Sequence, residues 1–297
     1  MDQAQQSPSV KQTTALGVSC GAGAALCWAL GFVAARHGID VGVSPLVLAL
    51  HRYVWPGLLA LPFLAKSGFA EIRSLGWGRA FTLAIFGGLP LALSSYVGYV
   101  FVPLGHGGII QPSCAALGGL LLARFVLKEP LPARRLAGAL VIVVGLAVIG
   151  AEALHTIGVH GVGGDLLFVA AGCLFATFGM LVRRWRIAAM QAVAITSVLS
   201  LVCLPFLAFS YDNLIAAGFW ENLLQAIVQG TLAGAGATYL FTRAVVLLGV
   251  SRAALFPSLV SPFVLLIGFL ALGVVPTVSQ LVGLVIVLVG FRLTQQG

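Results

Sequence analysis

Hydroxyl, amide and aromatic side chains interrupt an otherwise strongly apolar chain, and they are the groups with which it could bind a solute. Polar groups inside long apolar stretches are costly in a membrane and are functional candidates by default. We predict that the following residues bind substrate: Trp28, Ser94, Tyr96, Tyr99, Gln111, Ser113, Thr177, Thr238, Tyr239, Thr242 and Ser258. Together they suit a neutral or zwitterionic solute that has an apolar part. For any single Ser or Thr, the alternative is a hydrogen bond to a carbonyl of its own helix.

One basic pair, His51 and Arg52, lies inside the second apolar stretch. Arg52 is about eight residues into that stretch, on the order of 12 Å deep in a helix. Its guanidinium is either a counter-charge for an anionic group of the substrate or a structural group bonded to helix-end carbonyls. No Asp or Glu lies inside any apolar stretch. Because ion-driven carriers commonly use a buried carboxylate, the sequence favours uniport or exchange, with His51 and His106 as weaker candidates for a proton site.

The motifs of several enzyme classes are absent. There is no G-x-x-x-x-G-K-[ST] phosphate loop and no H-E-x-x-H zinc motif, so neither an ATPase nor a zinc protease is indicated. The five cysteines all fall in apolar stretches without metal-ligand spacing, as is typical of small buried hydrophobic residues. We therefore predict that the protein is not an enzyme and has no metal or cofactor.

Composition indicates that lipid is the solvent of most of the chain. Sixty per cent of the residues are apolar and 8% are charged, where a soluble domain has roughly 25% charged residues. The apolar runs have the length of helices rather than the alternation of barrel strands, so an all-α polytopic membrane protein is predicted. The predicted spans are 15–35, 44–65, 80–102, 107–127, 131–150, 164–182, 190–209, 222–242, 251–272 and 276–293.

The basic residues indicate how these ten spans are oriented. With the N-terminus inside, 14 of the 16 Lys and Arg residues fall on one face, and only Arg36 falls on the other. Such asymmetry marks the cytoplasmic face of an inner-membrane protein. Both termini are predicted to be cytoplasmic, and the net charge of +8 needs no nucleic-acid partner.

The two halves of the chain resemble each other. Residues 112–145 align on 257–290 at a constant offset of 145, with matched Pro-Ser and Gly positions. Each half holds five spans, and because five is odd, the second repeat must be inverted in the membrane. Inverted repeats are typical of secondary transporters, in which the substrate binds near the midplane between them. The domain boundaries follow: a cytoplasmic tail at 1–14, repeats at 15–150 and 164–293, an outer linker at 151–163 and a C-terminal tail at 294–297.

Glycines and prolines recur at matching positions of the two repeats, and both act on the helix backbone. Gly138 and Gly145 share one helix face, and so do Gly283 and Gly290, which predicts close packing by spans 5 and 10 rather than cavity walls. Pro112 and Pro257 each lie about five or six residues into their spans, 4 and 9, and because these spans start on opposite sides, the two prolines are near opposite faces of the membrane. Since a proline inside a helix removes a hydrogen bond and bends it, we predict that they mark gates.

Several motifs resemble the drug/metabolite transporter superfamily, in particular its bacterial ten-helix branch with two EamA domains. In the first half they are Trp28-Ala29-Leu30-Gly31-Phe32, Ser44-Pro45, Gln111-Pro112-Ser113 and Lys128-Glu129-Pro130-Leu131. In the second half they are Gly164-Asp165, Arg183-Arg184, Thr242-Arg243-Ala244 and Gly249-Val250-Ser251-Arg252. One departure is Val274, where the family has Glu after the ninth span. The resemblance implies secondary transport or exchange of metabolites through a central cavity walled by spans 1, 3, 4, 6, 8 and 9.

The functional expectation is an inner-membrane carrier that moves amino acids or similar small metabolites, outward, by alternating access. Its partners are that small solute and membrane lipid. A multidrug or nucleobase exporter of the same superfamily is the first alternative. A membrane-embedded enzyme or complex subunit is the second, and both the inverted repeat and the missing catalytic motifs argue against it.

The predicted topology is testable with reporter fusions. Fusions after residues 40, 73, 158, 185 and 215 are expected to be external, cytoplasmic, external, cytoplasmic and external, because the basic residues cluster on one face. Paired alkaline phosphatase and fluorescent-protein reporters measure the location of each. A cytoplasmic signal at residue 158 would contradict both the span count and the inverted repeat.

Overall fold

The structure is a computed structural model that describes residues 10–102, 104–150, 159–273, 275 and 277–295. Helix accounts for nearly all of these residues, and none of them is in a strand. The predicted all-α class is therefore confirmed. Parts of both predicted tails, most of the outer linker (151–158) and Val274 lie outside the described residues.

The helices follow one another with short connections, and the chain contains 14 α-helical segments within the described ranges. They are α1 (Val10–Asp40), α2 (Pro45–Lys66), α3 (Ala70–Leu75), α4 (Trp77–Gly87), α5 (Leu89–Phe101), α6 (Leu104–Phe125), α7 (Ala133–Gly150), α8 (Val159–Arg184), α9 (Ala189–Leu199), α10 (Leu207–Gln225), α11 (Ala237–Leu248), α12 (Val250–Ala253), α13 (Val260–Leu272) and α14 (Val278–Gln295). A π-helical segment, Ala226–Gly236, joins α10 to α11, and 3₁₀ turns follow α9 and precede α13.

Every predicted span coincides with helix, although several spans are broken. Eight of the described helical stretches are long and apolar enough to cross a membrane, and Leu281–Thr294 is a shorter apolar helix. One of the eight, Ala208–Leu248, has 41 residues and a non-helical residue at Gly218. A single helix of that length would be about twice as long as the bilayer core requires, and the break at Gly218 separates the connection after span 7 from the helix that contains span 8. The number of membrane crossings stays a prediction.

Helices α7 and α14 pack against each other through their glycines, as the sequence predicted. A Cβ atom on Gly138 would lie 2.9 Å from the carbonyl oxygen of Gly290, and one on Gly145 would lie 2.9 Å from that of Gly283. These contacts pair the first glycine of each helix with the second glycine of the other. The two helices are therefore antiparallel, and a two-fold axis exchanges them, as an inverted repeat requires.

The same axis relates two bundles, each built from both repeats. Bundle one consists of α5, α6 and α8, and bundle two consists of α1, the π segment with α11, and α12 with α13. In bundle one, a Cβ on Gly172 would lie 2.7 Å from the Gln111 carbonyl oxygen. In bundle two, a Cβ on Gly31 would lie 2.6 Å from the Ala233 side chain. Because such contacts leave no room for a side chain at Gly172 or Gly31, the helices within each bundle are closely packed.

Candidate functional site

A cavity lies between the two bundles, close to both helix-breaking prolines. The cavity volume is about 40 Å³. The lining residues are Trp28 and Phe32 of α1, Arg52 of α2, Leu91, Ala92, Ser95 and Tyr96 of α5, Gln111, Pro112 and Ala115 of α6, Phe175 of α8, and Pro257 and Val260 around the start of α13. The wall therefore comes from both repeats and is apolar except for four polar side chains. Small-molecule sites usually have about 300–1,000 Å³, so the cavity is nearly closed in this conformation, and a solute requires the two bundles to separate further.

The polar side chains of the cavity form a short network that extends behind its wall. Arg52 Nη1 lies 3.5 Å from the Tyr96 hydroxyl, and that hydroxyl donates to Gln229 Oε1 at 2.7 Å. Gln229, on the π segment, in turn donates from Nε2 to the carbonyl of Gly31 at 2.7 Å. The chain of contacts thus joins α2, α5, the π segment and α1.

A second polar pair, Ser95 and Gln111, belongs to the wall formed by bundle one. The Ser95 hydroxyl lies 2.9 Å from Gln111 Oε1 and 3.0 Å from the carbonyl of Leu91 on its own helix. Ser95 therefore orients the Gln111 amide. An amide held in this way offers a solute both a donor and an acceptor.

Arg52 has no carboxylate partner among the described residues. The ion pairs there, Arg36–Asp40, His37–Glu221, His106–Asp165 and Arg183–Glu129, all lie near helix ends. The described contacts of the Arg52 guanidinium also include no helix-end carbonyl, which was the structural alternative for this residue. The polar side chains next to its charge are the hydroxyls of Tyr96 and Tyr53.

Aromatic rings cover the cavity from two directions. Trp28, Phe175 and Phe241 form the first aromatic cluster, with ring centroids 4.6–5.4 Å apart. The second aromatic cluster lies further along α1 and joins Phe32 and Phe168 through Tyr99, with centroids 6.0 and 4.9 Å from the Tyr99 ring. Both clusters contain residues of α1 and α8. The first adds α11 and the second adds α5, and the two-fold axis exchanges these two helices.

A family model that describes EamA-like transporters matches the chain twice, over residues 15–151 and 162–295. The chain belongs to the EamA-like transporter family. It is accordingly a multi-pass membrane transporter, with a small molecule as substrate and lipid as surroundings. The two matches also correspond to the two repeats that the sequence indicated.

Comparison with solved structures agrees with the fold of this EamA-like transporter. One crystal structure, described only as "Crystal structure of protein", superposes with a TM-score of 0.67 over 95% of this chain and 96% of that one. The two sequences are 17% identical, so the likeness concerns the fold alone. No curated protein matches the chain.

Five of the predicted functional residues of the transporter meet at the cavity, namely Trp28, Tyr96, Gln111, Pro112 and Pro257. Their convergence brings together both gate prolines and three of the predicted binding residues. Pro112 lies inside the continuous helix α6, whereas Pro257 lies in the 3₁₀ turn before α13.

The other predicted residues lie outside the cavity lining. Three hydroxyls donate to carbonyls of their own helices: Ser94 to Pro90, Ser113 to Ile109 and Thr177 to Cys173. This is the arrangement that the sequence left open as the alternative.

Tyr99 belongs to the second aromatic cluster, and Thr238 and Tyr239 are half-buried on α11. The buried hydroxyls of Tyr99, Thr242 and Ser258 have no hydrogen-bond partner within the described residues.

Sequence analysis missed Gln229, although a signal for it exists. Glu221, Gln225 and Gln229 follow each other at four-residue spacing, so they share one helix face. Gln225 and Gln229 donate to the α1 carbonyls of Ala34 and Gly31, respectively. A count of amides inside spans would have found this face.

His51 is a weaker candidate for a proton site, and both of its ring nitrogens are hydrogen-bonded within the protein. Trp55 donates its indole N–H to His51 Nδ1 at 3.0 Å, and Nε2 lies 2.9 Å from the Asn222 side-chain oxygen. The ring is therefore neutral, with its proton on Nε2, because Nδ1 acts as an acceptor. It lies away from the cavity lining.

A wider groove opens on the surface between α2, α3, α9 and the π segment. Its wall is mainly apolar, from Pro56 and Leu59 to Val193, with Glu71 at the end formed by α3. The Ser67 hydroxyl donates to the Glu71 carboxylate at 2.7 Å and holds the pKa of that carboxyl below its usual value. None of the predicted binding residues lines this groove. Its apolar wall is what a surface in contact with lipid requires.

The adjacent residues Ser94 and Ser95 give a matched test of the cavity. Ser95→Ala is expected to raise the KM for transport roughly threefold to tenfold, because one net hydrogen bond contributes about 0.5–1.5 kcal/mol and the Gln111 amide loses its orientation. Ser94→Ala removes a hydroxyl that only bonds its own helix, and uptake by reconstituted protein is expected to equal that of the parent. Equal effects of the two substitutions would place the site elsewhere.

Proposed function

We propose that this EamA-like transporter moves small organic solutes that carry a carboxylate group, amino acids above all, by alternating access. The observation that supports this proposal is Arg52, a cationic side chain at a largely apolar cavity without a carboxylate partner among the described residues. An unpaired charge in such surroundings is costly. A substrate carboxylate would supply the missing counter-charge.

The remaining lining suits the other parts of an amino acid. Guanidinium and carboxylate groups can form two parallel hydrogen bonds, which fix the solute by one end. The rings of Trp28, Phe32 and Phe175 offer an apolar surface for a side chain. Gln111, oriented by Ser95, offers a carbonyl oxygen that can accept from an ammonium group.

The charge of the cavity also bears on the alternatives. A cationic drug would meet Arg52 with no described acidic group in the lining to attract it, so a multidrug exporter is less favoured. The same lack of a lining carboxylate supports uniport or exchange rather than ion-driven accumulation. We further propose the inner membrane as the location, with cytoplasmic termini and outward net transport.

The gates proposed at Pro112 and Pro257 are supported by their position on the cavity. On the N-terminal side of Pro257, the short helix α12 is bonded to the connection between α6 and α7, since the Glu129 carboxylate accepts the backbone N–H groups of Val250 and Ser251 at 3.3 and 3.1 Å. Beyond Pro112, the first turns of α6 reach the His106–Asp165 contact of 2.9 Å. We propose that these two short helix ends close the cavity alternately, one at the inner and one at the outer face.

The role of Arg52 is tested by comparing carboxylates with their amides. Arg52→Gln is expected to lower kcat/KM for L-leucine and L-phenylalanine in proteoliposomes roughly tenfold to a hundredfold, because hydrogen bonds to charged groups contribute about 1.5–3 kcal/mol. Uptake of L-leucinamide is expected to change much less.

Arg124→Gln removes the same charge from the exposed end of α6 and serves as the matched control. Unchanged leucine uptake by a folded Arg52→Gln protein would refute the proposal, and so would chemical conversion of the solute in place of uptake.

The gate proposal concerns Pro112→Ala and Pro257→Ala. Each substitution supplies the backbone N–H that proline lacks and is expected to straighten its segment. Labelling of single cysteines with an impermeant thiol reagent is expected to change at the outer mouth for the first variant and at the inner mouth for the second. If transport and labelling both remain at parental values, the bends are static.

A further inference from the structure

The Tyr96 hydroxyl accepts from one neighbour and donates to another. Tyr96 donates its single hydroxyl proton to Gln229 Oε1 at 2.7 Å, and Arg52 Nη1 lies 3.5 Å from the Tyr96 hydroxyl oxygen. A phenol has one proton, so it makes one strong donated hydrogen bond at a time. Tyr96 lines the cavity, whereas Gln229 is fully buried behind the wall. Any solute group bound at Arg52 is therefore within the neighbourhood of this hydroxyl.

Gln229 is held so that it can act only as the acceptor. Its Nε2 donates to the Gly31 carbonyl at 2.7 Å, which turns Oε1 toward Tyr96. The orientation of Gln229 thus depends on bundle two.

The Tyr96–Gln229 hydrogen bond consequently connects the two bundles. Tyr96 belongs to α5 of bundle one, and Gln229 belongs to the π segment of bundle two. Inside each bundle, helices are packed at glycines without space for a Cβ, as at Gly172 and Gly31. Motion in alternating access occurs most easily between such units, across the cavity.

We propose that the Tyr96 hydroxyl is a one-proton switch. Its single proton can bond either Gln229 or a bound carboxylate, so binding of the carboxylate weakens the contact between the bundles. The inference rests on the proposed function, because it requires the solute carboxylate at Arg52. A carboxylate is a stronger acceptor than an amide oxygen, since hydrogen bonds to charged groups are roughly twice as strong. When the solute binds, the Tyr96 hydroxyl turns to the carboxylate, and its hydrogen bond to Gln229 is lost.

Loss of that bond has a defined physical consequence. Gln229 Oε1 is then a buried acceptor without a donor, and an unmet buried acceptor destabilises the arrangement that contains it. The closed contact between α5 and the π segment therefore becomes less favourable only while a carboxylate is present. Solutes with an amide in place of the carboxylate are weaker acceptors and leave the bond intact, so the switch adds specificity beyond binding.

The experiment measures the separation of the bundles with two spin labels. Val41→Cys, just after α1, and Gly105→Cys, at the start of α6, place labels at exposed positions of bundle two and bundle one. The five native cysteines are first replaced. In the parent, L-leucine is expected to shift the distance distribution between the labels, and L-leucinamide is expected to leave it unchanged.

Two variants remove the switch from opposite sides. Tyr96→Phe and Gln229→Leu each abolish the hydrogen bond, so the distance distribution is expected to be the same with and without L-leucine. Binding of leucine to Tyr96→Phe is expected to weaken by no more than about tenfold, the range of one hydrogen bond. Tyr99→Phe, one turn further on the same helix, removes a hydroxyl without a described partner and is expected to keep the leucine response.

The outcomes separate the switch from the proposed function. If Arg52→Gln binds leucine as the parent does, the carboxylate site itself is wrong. If Arg52 is required but folded Tyr96→Phe and Gln229→Leu proteins still respond to leucine with the parental shift, the switch is wrong. A full response of the parent to leucinamide would also overturn it.

Discussion

The glycine contacts between α7 and α14 are the constraint on which the rest of the arrangement depends. They hold two equivalent helices antiparallel with almost no side chain between their backbones. With these helices antiparallel, the other four spans of each repeat are inverted as well. The first helix of each repeat then packs against the third and fourth of the other, which creates two bundles of mixed origin. The cavity lies where those bundles face each other, so its position follows from the axis.

The fold was predictable because the membrane restricts the possibilities so strongly. Backbone polar groups must bond within the same segment in lipid, so a long apolar run is a helix. Glycine and proline matches revealed the repeat because both residues act on the backbone, where the two copies must agree. The breaks at Gly88 and Gly218 were not predicted, since an apolar run has the same composition whether or not it bends.

The site was predictable only in part, because composition does not tell which helix face meets the cavity. Ser94 and Ser95 are neighbours, yet only Ser95 lines it. Tyr96 lines it as well, whereas Tyr99 packs edge-on against Phe168. One residue along a helix is a rotation of about 100°. A residue chosen by its position in the sequence can therefore lie on a helix face that does not meet the cavity. Arg52 was visible as a charge, but its lack of a described acidic partner required coordinates.

The π segment changes how the two repeats can be compared. Each of its hydrogen bonds spans one more residue than in an α-helix, so Ala226–Gly236 accommodates chain length without adding equivalent height. The helix that follows is turned relative to an unbroken α-helix. Thr238 and Tyr239 lie at its start and are outside the cavity lining to which Ser95 and Tyr96 belong. Two sequences that align residue for residue can therefore differ in angular register. The molecule keeps its symmetry in the packing of its helices while the chemistry of its two halves has diverged.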